Sequence, residues 1–248
     1  MFWCGRRKTD RAPVAGRGHN GSVYTELALP DGSALWRSTG GAGGAVPADG
    51  CVDLILLADE VYVAGPSTRW IAAVADPASG SFGLRLSPGR AHGLLAAALP
   101  ALTDRLVPLA ETAAAGEARR LRERMVRFGN GPHPTAGLVE LAARATVENP
   151  WSRAVQIGAR RAISAARIAA EMNETERTFR RRMRERFGYG YATLVRLERA
   201  RRAQRLLRSD RTRADDAAAA GYADQSHLTR EFRRLVGASP AQFASSAA

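Results

Sequence analysis

Between residues 221 and 240 the chain reads G-Y-A-D-Q-S-H-L-T-R-E-F-R-R-L-V-G-A-S-P, and at helical spacing one side of it is built for hydrogen bonding to a polyanion. Gln225, Ser226, Thr229 and Arg230 fall on one face, with Arg233 and Arg234 beyond them. Short amides and hydroxyls followed by guanidinium groups are the mixture that reads base edges and holds phosphates in a DNA major groove. A second basic run, Arg177, Arg180, Arg181 and Arg184, lies upstream. There, a bidentate arginine to guanine is the corresponding chemistry. A single basic helix is more often a solvated charged face, and His227, alone on its surface, is more often exposed than in contact. The case for binding rests on the run occurring twice.

The elements that must hold these side chains can be read from the same stretches. Asp224 is placed to accept a hydrogen bond from a free first-turn amide. Leu228, Phe232 and Leu235 give one apolar stripe, and Gly237 followed by Pro240 stops the helix. Forty-nine residues upstream the layout repeats: Thr175 stands for Asp224, Phe179 for Leu228, Arg181 for Arg230, Met183 for Phe232 and Gly188 for Gly237. Ahead of the first copy Ser164 caps a supporting helix whose Ile168, Ala169 and Met172 face a core. An amphipathic segment over residues 192–208 joins the copies; at 1.5 Å per residue it is about 25 Å long.

On these residues the block 164–243 resembles the paired helix-turn-helix DNA-binding domain of AraC/XylS-type transcription regulators, and its second half is the more specific. The resemblance covers about the last third of the chain. It implies that Arg177, Arg180 and Arg181, and in the second copy Gln225, Ser226, Thr229 and Arg230, reach base edges; Arg184 completes the outward face of the first copy, and Arg233 and Arg234 are read as neutralising the DNA backbone. Two such helices about one DNA turn, roughly 34 Å, apart would enter successive major grooves. The sequence departs from the family pattern at Arg213 and Asp216, where aliphatic residues are usual in the second supporting helix, leaving alanines for its core. Tyr191 stands where proline usually follows the first terminal glycine.

Charge separates the chain of 248 residues into two parts. Residues 150–248 hold 21 Lys+Arg against 10 Asp+Glu, and residues 1–149 hold 16 against 14. A generally arginine-rich composition would raise both parts alike. Concentration in one part is what a polyanion-binding module beside a near-neutral domain shows. Two cysteines, Cys4 and Cys51, cannot form a disulfide framework or a four-thiolate metal site. No apolar run approaches a membrane span, and no secretion signal core follows Phe2 and Trp3. A cytoplasmic protein is expected.

The expected class is α+β: a tail over residues 1–21, a β-rich sensing or dimerising domain over 22–112, a helical connector over 113–149, and the two-motif all-α domain over 150–248. Short apolar runs at 23–29, 34–37, 51–58, 61–64, 70–75 and 82–86 are expected strands. Residues 58–60 and 77–80 are expected turns, residues 90–98 a short helix, and 117–128 and 138–147 the two connector helices. The stretches 47–55, 63–68, 82–89 and 102–105 are similar to an uncharacterised domain that often precedes AraC-type DNA-binding domains. That similarity implies effector sensing or assembly and supplies no ligand.

Other chemistries were weighed against the same residues. Transfer of an alkyl group to cysteine needs an activated thiolate, whereas Cys51 at a strand start suits a small buried apolar residue. His19, His92 and His133 lack ligand spacing, and no phosphate-cradling loop or nucleophile elbow occurs. Trp36 and Trp70 are candidates for an effector pocket and, more simply, for core packing. No catalytic residue, metal or cofactor is expected. The expected partners are double-stranded DNA, a small-molecule effector, RNA polymerase and a second copy of the chain. The alternative is a basic, weakly specific DNA-associated or interaction protein whose second motif is degenerate.

Overall fold

The computed structural model describes residues 14–17, 23–29, 32–92, 94–95, 97–129, 149–208 and 213–246. Alternation of apolar and polar residues builds the first half. In strand β5 (Val52–Leu57) the side chains of Val52, Leu54 and Leu56 are buried, and in β8 (Ser81–Leu86) those of Phe82, Leu84 and Leu86. With period two these put one apolar face on each strand, and the strands pair antiparallel with Leu54 opposite Leu84. Around them lie β1 (Val14–Arg17), β2 (Val23–Ala28), β3 (Ala34–Thr39), β6 (Glu60–Ala64) and β9 (Leu106–Pro108). All pairings are antiparallel, in the order β1-β2-β3-β8-β5-β6-β9. The turn between β5 and β6 puts Ala58 and Asp59 at φ 46° and 68°, the left-handed pair that matches strand twist in a two-residue hairpin. Strands β4 (Gly44–Val46) and β7 (Ile71–Ala73) form a separate two-stranded ribbon.

Four sequence expectations change here. Val14–Arg17, placed in a tail, form β1, because β2 offers an unpaired edge with which their backbone pairs over four residues. The described residues of 90–98 hold turns and an isolated bridge between His92 and Leu95 instead of a helix, and a short helix α1 begins later, at Leu99–Leu102, with Pro100 in its first turn. The helix expected at 117–128 is α2 (Ala115–Gly129), but it is not a free connector. Its Ala118, Leu121 and Met125 are buried in the same core as Leu54, Phe82 and Leu84, so the sheet domain extends to at least residue 129. Trp36 is not a core residue: half-buried on the opposite sheet face, it stacks on Tyr24 and donates to Asp53 Oδ1 at 2.7 Å. The helix expected at 138–147 lies outside the described residues.

That opposite face carries a polar network. Arg85 faces Glu26, Asp49 and Asp53 at 3.2, 3.4 and 3.3 Å. Burial raises the Asp53 carboxyl to about 6, against the opposing pull of Arg85.

The second half is helical, with its own core. Helices α3 (Pro150–Arg160), α4 (Ala165–Glu171), α5 (Glu176–Phe187), α6 (Tyr191–Leu207), α7 (Arg213–Ala220), α8 (Gln225–Val236) and α9 (Pro240–Ser246) follow one another. Asn149 Oδ1 caps α3 by accepting from Trp151 N and Ser152 N. The core collects Phe179, Met183, Phe187, Leu194, Leu197, Leu228 and Phe232; Ala48 is its one buried member from before residue 150.

Replacing fully buried Met125 by alanine is expected to cost about 2 to 5 kcal/mol. Denaturant unfolding of the full chain reads it. An unmoved midpoint for the sheet domain would mean α2 stands apart from that core.

Candidate nucleic-acid interface

Each basic run sits on a helix whose two ends are closed by its own sequence. Thr175 Oγ1 accepts from Thr178 N at 3.2 Å to begin α5, and Asp224 Oδ1 accepts from His227 N at 2.7 Å to begin α8. Both helices end on a left-handed glycine, Gly188 at φ 81° and Gly237 at 82°, whose amides return to Arg184 O and Arg233 O. That conformation is cheap only without a Cβ. The repeat legible at 49-residue spacing is thus a repeat of cap, helix and stop.

The buried and exposed faces separate as the spacing requires. Phe179, Met183 and Phe187 of α5, and Leu228, Phe232 and Leu235 of α8, are buried. Arg177, Arg180, Arg181 and Arg184 are exposed on α5; Gln225, Ser226, Arg230, Arg233 and Arg234 are exposed on α8, with Thr229 half-buried. Arg180 pairs with Glu176 at 2.5 Å and Arg181 with Glu185 at 3.7 Å, both across one helical turn in solvent. Such pairs contribute only tenths of a kcal/mol, so they release their guanidiniums readily.

Supporting contacts account for one of the departures noted in the sequence, Tyr191. Tyr191 begins α6, where its hydroxyl donates to Ile163 O at 2.8 Å and its ring lies edge-on to Phe179 at 5.5 Å. In α7 the buried side chains are Ala217 and Ala220; the side chains of Arg213 and Asp216 lie outside the described set. His227 takes a structural position, with Nε2 3.2 Å from Glu231 and its ring edge-on to Tyr222 at 5.3 Å. Buried Glu198, which no spacing singles out, is met by Arg201 at 2.9 Å and Arg160 at 3.8 Å.

The sheet domain holds the far ends of both α5 and α8. Ala48 N donates to Leu235 O at 2.7 Å and Trp70 N to Arg234 O at 3.2 Å, while Thr103 Oγ1 donates to Gly188 O at 3.1 Å. Trp70, 42% exposed, lies against Gly237 and not in a core. Between these points Arg201 donates to Asp49 O, and the Tyr189 hydroxyl donates to Gly50 O at 3.2 Å. Cys51 is buried in this joint, and burial together with Asp49 pushes its thiol well above its usual range. A thiol so held stays protonated, the opposite of what an alkyl acceptor requires. Among the described residues no cluster of acidic, histidine and cysteine side chains could hold a metal ion, and no helix is long and apolar enough to cross a membrane.

Comparison with known proteins adds a family and a set of distant folds. Residues 168–246 match the family described as a helix-turn-helix domain. No curated protein matches the chain. Among solved structures, ToxT from Vibrio cholerae is similar at 10% identity and a TM-score of 0.44, over 86% of this chain and 97% of that one. ToxT from Vibrio cholerae O395 bound to (E)-4-(8-methylnaphthalen-1-yl)but-3-enoic acid is similar at 10% identity and 0.43, over 92% and 98%.

Loss of either cap, by Thr175→Ala or Asp224→Ala, is expected to cost about 1 kcal/mol. Thermal melts measure it. A melting temperature unchanged in both variants would show that the first-turn amides do not depend on these oxygens.

Proposed function

We propose that this chain, whose C-terminal domain is of the AraC helix-turn-helix type, reads DNA through both of its motifs at once, and that its sheet domain modulates that reading. The protein is a DNA-binding transcription regulator. The observation that carries the two-motif reading is the doubled cap, helix and glycine stop, with a polar or basic face exposed on each copy. In this reading Arg177, Arg180, Arg181, Gln225, Ser226, Thr229 and Arg230 meet base edges, and Arg184, Arg233 and Arg234 neutralise phosphates. The 17-residue helix α6, about 25 Å long, separates the recognition helices for successive major grooves. The protein acts in the cytoplasm, without catalysis, and its further partners are a small-molecule effector, RNA polymerase and a second copy of itself.

Base readers and phosphate neutralisers differ in what their loss does. Arg181→Ala and Arg230→Ala are each expected to lower affinity for a selected site by about 1 to 3 kcal/mol while sparing random DNA. Arg233→Ala should weaken both alike and flatten the salt dependence by about one unit of slope. Equal losses on selected and random DNA for Arg181→Ala would remove its base-reading role.

The weakly specific alternative is separated by competition with random DNA, under which a regulator keeps a site-specific footprint; the fragment 150–248 tests the DNA-binding domain itself. It contains all but one of the buried members of the C-terminal core, so it is expected to fold and to bind DNA with a steep salt dependence. A helical fragment that binds nothing at low salt would count against the assignment.

A further inference from the structure

We propose that the cleft between α5 and the sheet domain binds a small organic dianion with a flat apolar body, and that this ligand and DNA exclude one another at the first motif. The exclusion rests on the reading of α5 as a DNA-contacting helix; the site itself does not. The cleft has a volume of about 870 Å³, within the range of metabolite sites. One wall is formed by Arg177, Arg180, Arg181 and Arg184. The facing wall comes from the sheet domain, a largely apolar shelf of Leu95, Ala97, Ala98, Leu99 and Pro100 with His92 beside them. The base is fixed where Thr103, just past α1, donates to Gly188 O at the end of α5.

Charge sets the ligand's valence. Arg180 and Arg181 are partly neutralised by Glu176 and Glu185, whereas among the described residues Arg177 and Arg184 meet no carboxylate within 4.0 Å. Two uncompensated guanidiniums on one wall match two negative charges, and their planar forks take a phosphate or carboxylate group bidentately. Apolar surface sets the body. His92 is the one polar side chain of the shelf and the rest is apolar, so a bare anion would leave most of that wall unused, while a ring attached to the anion would also bury it. No residue of α8 lines this cleft. A ligand here therefore removes the first motif's arginines from DNA and leaves Gln225, Ser226, Thr229 and Arg230 free.

Isothermal titration of the full chain tests the site with phenyl phosphate, inorganic phosphate and phenol, and with isophthalate to separate a phosphate ester from a dicarboxylate. One phenyl phosphate or isophthalate per chain is expected, bound at least tenfold more tightly than inorganic phosphate, with no binding of phenol. Ala98→Trp, which fills the cleft from an exposed shelf position, should abolish that binding while the helix content and melting temperature of the chain are kept. Pro100→Glu, which neutralises the arginine wall from the same shelf, is the second variant should the first fail to fold. Phenyl phosphate at ten times its dissociation constant should lower the apparent affinity for a duplex selected from a random pool about tenfold, as competition at one site requires. Inorganic phosphate binding as tightly as phenyl phosphate, or phenyl phosphate binding unchanged in a folded shelf variant, would overturn the site. Phenyl phosphate and duplex bound together without mutual loss would overturn the exclusion. A chain that binds phenyl phosphate in a shelf-dependent way but no duplex would end the DNA reading and keep the site; the reverse result would end the site and keep the reading.

Discussion

A helix leaves its last carbonyls without partners inside itself, and the arrangement of this molecule follows from where α5 and α8 find theirs. Each helix closes part of the debt with a left-handed glycine. Further partners come from the sheet domain, through the amides of Ala48 and Trp70 at Leu235 O and Arg234 O of α8 and the hydroxyl of Thr103 at Gly188 O, just past α5. Both glycines serve twice: a Cβ on Gly188 would fall within 3.0 Å of Pro66 and Thr103, and one on Gly237 within 3.1 Å of Ala45 and Trp70. The stop of each recognition helix is thus also the point where the other domain approaches. Neither helix can shift along its axis without breaking hydrogen bonds to the sheet domain.

Between these two attachments runs a buried polar seam. Arg201 of α6 reaches the backbone of Asp49 while holding Glu198, and Tyr189 reaches Gly50. Burying a guanidinium is costly unless a carboxylate and carbonyl oxygens surround it, and here both are supplied, one by each domain. The seam ties α6, which sets the separation of the two motifs, to the loop before β5. From β5 the connection continues through Asp49 and Asp53 to Arg85 on the polar face of the sheet. An event on that face and the spacing of the recognition helices therefore share a continuous set of charged contacts.

What the sequence made legible was local. Thr175 with Gly188 and Asp224 with Gly237 announce their helices because capping and stopping are decided within one turn. Ala58 and Asp59 mark the β5–β6 hairpin because a turn is decided by its own residues. The misread parts were decided by partners distant in the chain. Val14–Arg17 become a strand only because β2 is beside them, and Ala115–Gly129 joins the sheet because Leu121 and Met125 find Leu54 and Phe82. Glu198 and Arg201 look like ordinary surface charges in an arginine-rich helix until Asp49 is placed against them. Likewise nothing in a run of alanines puts Ala98 across a cleft from Arg181.

Arginine abundance itself acquires two meanings once positions are known. Arg85, Arg182, Arg199 and Arg201 are spent inward: on carboxylates, on the ring of Trp151 at 5.0 Å and on that of Tyr222 at 5.3 Å. These are structural cations, fixed in place and closed to an incoming anion. Arg177, Arg180, Arg181, Arg184, Arg230, Arg233 and Arg234 are directed outward, and among the described residues the only ion pairs they make are the two exposed ones across a turn of α5. An exposed pair gains little because water already solvates both charges, so exchanging a glutamate for a phosphate costs little and releases counterions from the nucleic acid. Net charge draws the domain toward DNA, but the division of arginines between seam and surface decides which of them can let go of the protein and take hold of it.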